Sequence, residues 1–184
     1  MKRLFLAIEI PEDIRDDLLD LRINTFNVNW TPFENMHLTL QFLGDSFNDN
    51  DVESICSKLS RVRNSAFDLT LSSVGYFGSE NNPRVLYCGV EKEQTLLDLQ
   101  KQIVDSLRSF EFDMEVRKYI PHVTLGRPKK LPYEEVARFL QSFSIFRSEV
   151  FHVDKYLLME SILTRHGPVY NVLEEFELYE MDGL

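Results

Sequence analysis

The sequence predicts an α+β fold of two pseudo-symmetric lobes, each a mainly antiparallel sheet with outer helices, and a central cleft between the sheets. Three observations support this fold class. Strand and helix patterns alternate along the chain, two matching tetrapeptides occur in separate strand patterns, and no linker or low-complexity segment divides the 184 residues. A chain of this length is enough for one domain with its own hydrophobic core.

The first half of the chain predicts strands and helices in alternation. Alternating apolar residues predict strands over 2–10 and 36–43, and the second of these is expected to stop at Gly44. Apolar residues at near-helical spacing predict helices over 12–25 and 49–62. Acidic residues in the first turn of the earlier helix suit its dipole.

The second half repeats this order and adds strand pairs. Pro121 predicts an edge position or a strand start for the segment that contains it. The unit of strand, helix, strand and helix occurs twice, which suggests two similar lobes, although the repeat rests on pattern alone. The predicted elements are strands over 67–77 and 84–90, a helix over 93–109, a strand over 119–126, a helix over 132–142, and strands over 149–162 and 169–179.

Composition limits the classes of function. A formal net charge of −10 argues against coating a long nucleic acid, but it permits a small pocket that binds one phosphate. No apolar run approaches the roughly 20 residues that span a bilayer, and Glu9 and Pro11 make the apolar start a strand rather than a signal peptide. Cys56 and Cys88 lack zinc or CxxC spacing, so a reduced, cytoplasmic protein without membrane contact is expected.

Two of the four histidines begin matching tetrapeptides. Because side chains alternate along a strand, each copy places His and Thr on one face and two apolar residues on the other. One such copy is more typical of a packed or surface histidine, whereas two copies in equivalent lobes indicate a site. His152 and His166 lack the threonine and are expected to be structural or solvent-facing. The tetrapeptides are His37-Leu38-Thr39-Leu40 and His122-Val123-Thr124-Leu125.

Paired histidines suit the hydrolysis of a cyclic phosphodiester. One imidazole can be neutral and take a proton from water, while the other is charged and protonates the leaving oxygen. The attacking and leaving oxygens lie on opposite sides of phosphorus, so facing strands can supply one ring to each side. The hydroxyls of Thr39 and Thr124 can donate hydrogen bonds to the non-bridging phosphate oxygens.

The chain resembles the 2H phosphoesterase superfamily, and more closely the bacterial and archaeal RNA 2',3'-cyclic phosphodiesterases, also called the 2'-5' RNA ligase family. The paired tetrapeptides carry the resemblance to the superfamily, and the blocks around them carry the resemblance to this branch. The resemblance implies one two-lobed 2H phosphoesterase domain over 1–184. The matching blocks are residues 3–7, 35–44, 83–87, 121–127 and 161–170.

The resemblance also implies an activity and its residues. The family hydrolyses a terminal 2',3'-cyclic phosphate to a 2'-phosphate without a metal or other cofactor. By this resemblance His37 would protonate the departing 3'-oxygen and His122 would activate water, with Thr39, Thr124 and Arg127 binding the phosphate. The expected partners are RNA ends or nucleotides that carry the cyclic phosphate, and a monomer is the default expectation.

Several positions depart from the family or carry weaker signals. Gln41 stands where the family often has lysine, and Gly126 where it often has alanine. Arg84 follows a turn. Two interpretations of this residue are equally favoured, namely that it reaches the phosphate and that it is a surface arginine. A basic segment predicts either a positive rim of the cleft or a solvated loop. Three aromatic residues are candidates to stack on a base, although aromatic residues more often belong to the core. These residues are Arg117, Lys118, Arg127, Lys129 and Lys130 for the segment, and Trp30, Phe42 and Tyr119 for the aromatics.

Three alternatives stay open at this point. The first is the joining of RNA ends through a 2'-5' bond in the same cleft. Joining would have to use the energy of the cyclic phosphate, since the chain has no P-loop or nucleotidyl-transfer lysine motif. The second is a non-catalytic module that binds nucleotides or RNA ends. The third, a metallohydrolase, fits less well, because only two histidines converge and no HExxH motif completes a ligand set.

Overall fold

The structure, a computed structural model, describes residues 1–110 and 118–179. It confirms the α+β class with mainly antiparallel strands. A short 3-10 helix covers Phe33–Asn35. The other described elements are β1 (Lys2–Glu9), α1 (Glu12–Leu19), β2 (Val28–Trp30), β3 (His37–Phe47), α2 (Asp49–Leu59), β4 (Phe67–Leu69), β5 (Leu71–Ser79), β6 (Asn82–Val90), α3 (Gln94–Leu107), β7 (His122–Pro128), α4 (Tyr133–Ser142), β8 (Phe151–Val153), β9 (Lys155–Thr164) and β10 (Gly167–Glu177).

Eight of these strands form one antiparallel sheet in the order β10-β9-β1-β3-β7-β6-β5, with β2 also paired to β7. The sheet has two halves of four strands, which join where β3 meets β7 at the single residue pair Leu38 and Val123. The two predicted lobe sheets are therefore continuous at one point. The short strands β4 and β8 form a separate pair.

The two faces of the large sheet differ in character. We call the face that carries His37, Thr39, His122 and Thr124 the site face, and the opposite one the core face. On the core face the alternate residues of both tetrapeptides are completely or almost completely buried: Leu38, Leu40, Val123 and Leu125. This alternation follows from the strand period of two, and it anchors the polar residues through the apolar ones.

The helices keep the predicted order but are shorter than expected at some ends. α3 buries apolar residues at three- and four-residue spacing and contacts both α2 and β3. The first helix ends at Leu19 rather than at residue 25, because the chain then turns into β2, a strand that the sequence pattern did not predict. Arg22 holds this turn by donating from Nη2 to the carbonyl of Thr31 at 2.6 Å. No helix in the described ranges is long and apolar enough to cross a membrane.

The strand β3 does not stop at Gly44, so that prediction was wrong. Gly44 has φ +133°, which favours glycine, and it bends the strand instead of ending it. The strand then continues to Phe47, which pairs with Lys2 of β1. Pro121 immediately precedes β7 and confirms the predicted strand start, while the edge alternative was wrong because β7 pairs with β2, β3 and β6.

A matching irregularity occurs in both tetrapeptide strands. In β3 the register moves from Ala7 opposite Thr39 to Leu6 opposite Gln41. In β7 it moves from Tyr87 opposite Thr124 to Leu86 opposite Gly126. Each strand thus carries one extra residue at the same distance from its histidine, and such a bulge re-aims the side chains that follow.

The bulges reverse the alternation of side chains. Leu6 and Leu86 are buried on the core face, so their partners Gln41 and Gly126 turn toward that face as well. Gln41 accordingly accepts a hydrogen bond from Gln100 Nε2 of α3 at 3.4 Å. The next residue of each strand, five positions after the histidine, returns to the site face. These two residues are Phe42 and Arg127.

Gly126 leaves room for β2, and we expect Gly126→Ala to destabilise the protein. A Cβ there would lie 2.6 Å from Val28 Cγ1 and 2.8 Å from Trp30 Cε3. Overpacking of this kind costs about 1–3 kcal/mol. The free energy of unfolding in urea measures it. In a Trp30→Ala background the penalty should shrink, and an equal penalty in both backgrounds would contradict this account of β2.

Candidate active site

The two histidines predicted from the sequence lie at the first residues of β3 and β7. Leu38 and Val123 form the pair that joins these strands, and each histidine immediately precedes one member of it. Antiparallel pairing relates the two sides by a local two-fold axis, so both histidines face the same side of the sheet. The charge of His122 contributes to lowering the pKa of His37, after burial as the main cause.

Each imidazole is held by a backbone carbonyl two residues earlier in the chain. His37 Nδ1 lies 2.8 Å from the carbonyl oxygen of Asn35, and His122 Nδ1 lies 2.7 Å from that of Ile120. A carbonyl oxygen only accepts, so Nδ1 is the protonated nitrogen in both rings. The neutral form of each ring therefore has an unprotonated Nε2 that can accept a proton. In His37 this Nε2 lies 3.0 Å from the hydroxyl of Thr39.

The carbonyl that holds His37 is itself fixed. Asn35 is buried, and its side-chain amide donates from Nδ2 to the carbonyl of Pro168 at 2.8 Å. Pro168 belongs to β10, so this hydrogen bond connects the residue before β3 to the edge of the sheet. Tyr119 makes a similar connection across the lobes, since its hydroxyl donates to the backbone carbonyl of Thr39 at 3.0 Å.

Each imidazole also contacts two aromatic rings from neighbouring strands, and the sequence pattern did not predict these contacts. The ring of His37 lies 5.0 Å from Phe5 and 5.2 Å from Tyr170, between ring centroids. The ring of His122 lies 4.8 Å from Phe77 and 5.4 Å from Tyr87. Aromatic residues in strands are common in any core, so nothing in their spacing singles them out. The strand pairing alone selects them.

Burial lowers the pKa of both histidines. For His37 the desolvation is partly opposed by the hydrogen bond to Asn35, and the charge of His122 adds to the lowering. For His122 the hydrogen bond to Ile120 again opposes desolvation, and the positive charge of Arg127 adds to the lowering. Both rings thus favour the neutral form more than a free histidine does.

The predicted phosphate-binding residues take up different positions. Thr39 and Thr124 are half-buried on the site face, and within residues 1–110 and 118–179 the hydroxyl of Thr124 has no protein partner. Arg127 is exposed, and its charge acts on His122 and also on Tyr170. Arg84 is exposed where the register of β6 shifts, and the described contacts do not connect it to either histidine, so its role stays a prediction.

The other candidates from the sequence lie away from the two histidines or are occupied. His152 is exposed, with Nδ1 2.7 Å from Asp68, and His166 lies in the exposed turn between β9 and β10. Trp30 packs on Gly126, and Phe42 lies beneath the guanidinium of Arg3. Of the basic segment, Lys118, Lys129 and Lys130 are exposed, while Arg117 lies outside the described residues.

Two cavities flank the first histidine. A small one of about 70 Å³ is lined by His37 and Tyr170. A larger one of about 350 Å³ lies beyond it, between Glu9, His152 and Lys155, and contains neither tetrapeptide. In the described part of the chain, no three His, Cys, Asp or Glu side chains are arranged to hold a metal ion.

Comparison with known proteins identifies the family of the chain. A model of the LigT-like phosphoesterase family matches residues 8–87 and again 89–170, once in each half. The RNA 2',3'-cyclic phosphodiesterase of Thermotoga maritima is 34% identical and covers 94% of both chains. The protein of the same name from Archaeoglobus fulgidus is 30% identical and covers 95% of this chain and 99% of its own.

Solved structures share the fold. A protein from Thermus thermophilus has a TM-score of 0.81 at 26% identity, covering 97% of this chain and 98% of its own. E. coli LigT in complex with 3'-AMP has a TM-score of 0.78 at 23% identity, covering 97% and 99%. The fold and the paired histidines together define a two-histidine phosphoesterase. The chain belongs to the LigT-like phosphoesterase family.

The carbonyl contacts predict one tautomer for both active-site histidines. At high pH we expect the rings of His37 and His122 to carry the proton on Nδ1, because each Nδ1 must donate to a carbonyl. Both should titrate below 6.5, the ordinary value, since burial lowers each pKa. Long-range ¹H–¹⁵N spectra of the ring nitrogens across a pH titration measure both quantities. Protonated Nε2 in the neutral form, or a pKa above 6.5, would contradict the arrangement.

Proposed function

We propose that this protein hydrolyses the 2',3'-cyclic phosphate of an RNA end or a nucleotide to a 2'-phosphate, without a metal ion. One observation carries the proposal: His37 and His122 are anchored through Nδ1 in the same way and face one side of the sheet across the Leu38–Val123 pair. Because each Nδ1 is taken up by a carbonyl, Nε2 of each ring is the atom that transfers a proton at phosphorus, and at His37 the substrate replaces the contact of Nε2 with the Thr39 hydroxyl. The relatives named as RNA 2',3'-cyclic phosphodiesterases support the choice of substrate.

The reaction requires one proton to be removed from the attacking water and another to be donated to the leaving ribose oxygen. Nε2 of neutral His122 takes a proton from water as the water oxygen attacks phosphorus. The bond from phosphorus to the ribose 3'-oxygen breaks, and Nε2–H of charged His37 protonates that oxygen. The 2'-oxygen stays bonded, so the product is a 2'-phosphate. Each histidine ends in the other's starting protonation state, and exchange with water restores both.

The charges around the site support this division of roles. Arg127 lies close enough to His122 to disfavour a second positive charge there, which suits a base. A bound phosphate anion between the rings raises the pKa of both. Burial lowers the pKa of His37 as it does that of His122, so its role as the acid rests on the family resemblance. The hydroxyls of Thr39 and Thr124 and the guanidinium of Arg127 bind the non-bridging oxygens as charge builds on them.

Replacement of either histidine tests the mechanism. We expect His37→Ala and His122→Ala each to lower kcat on a 2',3'-cyclic nucleotide by about 10²–10⁴-fold, the usual contribution of a general acid or base. Turnover with EDTA present, followed by ³¹P NMR of the product, gives both the rate and the position of the phosphate. His152→Ala serves as the control, because His152 is exposed and bonds to Asp68.

Several outcomes of this experiment would count against the proposal. Full activity in both active-site variants would exclude the two-histidine mechanism. Tight binding of the nucleotide by the wild-type protein without turnover would favour a non-catalytic binding module. A 3'-phosphate product would mean that the 2'-oxygen leaves instead, and the roles of the two rings would have to be reassigned.

The lowered pKa values set the pH dependence of the reaction. The profile of kcat/KM reports the free enzyme, in which one ring must be charged and the other neutral. Burial lowers both pKa values, so the bell-shaped profile should have its maximum below pH 6.5. Activity falls on the acid side as the base becomes protonated, and on the alkaline side as the acid loses its proton. The kcat profile, which reports the phosphate-bound enzyme, should be shifted to higher pH. A kcat/KM maximum well above pH 6.5 would contradict this account.

A further inference from the structure

A stacked pair of side chains extends the site face beyond His37. The guanidinium carbon of Arg3 lies 4.9 Å from the ring centroid of Phe42. Phe42 is paired with Phe5 on β1, and the ring of Phe5 touches His37 at 5.0 Å. The Arg3–Phe42 pair therefore lies one side chain beyond the first histidine, on the same face of the sheet.

The position of this pair follows from the bulge in β3. Phe42 stands five residues after His37, and Arg127 stands five residues after His122. The matching bulges bring both positions back to the site face. The second lobe places a guanidinium there directly, through Arg127. The first lobe has a phenylalanine at the matching position, and the guanidinium of Arg3 lies on that ring from the neighbouring strand β1.

The charge of Arg3 is available to a ligand. Arg147 is paired with Glu91 and Lys155 with Glu175, but in the described ranges no carboxylate forms an ion pair with Arg3. Arg3 is also exposed, so a ligand on the site face can reach its guanidinium. Burial raises the pKa of Tyr170, and the charges of both Arg127 and Arg3 partly oppose this, so both guanidinium groups act electrostatically on a residue that contacts His37.

The direction of the reaction places the rest of the substrate on this side. The leaving 3'-oxygen must lie next to the acid, His37, and the attacking water next to His122. The ribose is therefore on the side of the first lobe, where β1 and β3 carry Arg3 and Phe42 on the site face. Arg3 and Phe5 are two residues apart on β1, about 7 Å along a strand, which puts the guanidinium within reach of the next backbone group.

We propose that Arg3, held on the ring of Phe42, binds the phosphodiester that joins the terminal nucleotide to the nucleotide before it, so that the enzyme prefers RNA ends over cyclic mononucleotides. This inference rests on the proposed function and extends it by one nucleotide. A planar guanidinium matches two phosphate oxygens at once, and stacking on Phe42 orders it before the ligand arrives. One such contact is enough to recognise the end of an RNA chain. It does not require an extended basic surface, which the negative net charge argues against.

The experiment compares three substrates with the full-length protein: a 2',3'-cyclic mononucleotide, a dinucleotide with a terminal 2',3'-cyclic phosphate, and the same dinucleotide with an uncharged methylphosphonate linkage. For wild type we expect kcat/KM to be higher for the charged dinucleotide than for the other two. Arg3→Gln should lower that preference by about tenfold, equivalent to one charge-assisted hydrogen bond. The slope of log(kcat/KM) against log[salt] should become shallower by about 0.7, the value for one phosphate contact on a single strand.

Two controls separate this contact from a general effect. Arg63 also lies over an aromatic ring, that of Tyr179, at 5.3 Å and away from the histidines, so Arg63→Gln should leave all three rates unchanged. Phe42→Leu should reduce the dinucleotide preference in part, since it removes the stack and keeps the charge. With the methylphosphonate substrate, Arg3→Gln should have no further effect.

The outcomes distinguish failure of the contact from failure of the enzyme. No turnover of any substrate by the wild-type protein would refute the proposed function. Turnover with equal kcat/KM for the charged and uncharged dinucleotides, or an equal loss on all substrates in Arg3→Gln, would refute the Arg3 contact and leave the hydrolysis intact. A thermal melt of each variant confirms that the fold is retained.

Discussion

The arrangement of the site depends on a single backbone pairing between the two halves of the sheet. Leu38 and Val123 are fully buried and are the one residue pair through which β3 meets β7. Each catalytic candidate precedes a member of this pair, so the separation and facing of the two imidazoles follow from it. Burial of both apolar side chains in the common core makes that contact rigid, because closely packed interiors resist local shifts.

On either side of the Leu38–Val123 pair, the two imidazoles have similar surroundings. A carbonyl holds Nδ1 of each ring, two aromatic rings flank it, and burial lowers its pKa. The two sites differ in the threonine, which among the residues that the structure describes contacts the imidazole only at His37, and in the charged neighbours. Arg127 acts on His122 directly, whereas the first lobe offers Arg3 on Phe42. The backbone around the two histidines is nearly symmetric, but the arginines are placed differently on its two sides. This difference suits the proposed reaction, in which water attacks phosphorus from one side and the ribose oxygen leaves on the other.

Much of the architecture could be predicted from apolar spacing, and the errors have physical causes. The four helices occur in the predicted order because long periodic segments report burial directly, whereas the predicted strands 67–77 and 149–162 are each divided into two, β4 with β5 and β8 with β9. The end of β3 was misplaced because Gly44 permits a bend as readily as it permits a turn. β2 was missed because Val28–Trp30 is too short to show a period and exists through its pairing with β7.

His37 shares a face of its strand with Thr39, and His122 with Thr124. The sequence alone predicts this, because the pleat of a strand fixes which side chains share a face. Strict alternation from either histidine would have turned Arg127 and Phe42 away from the site. The bulges reverse that order, and a bulge arises from pairing with β1 or β6, which no local pattern reveals. The aromatic rings around each imidazole come from other strands for the same reason. The local pattern therefore predicted the reactive groups, and long-range pairing selected their neighbours.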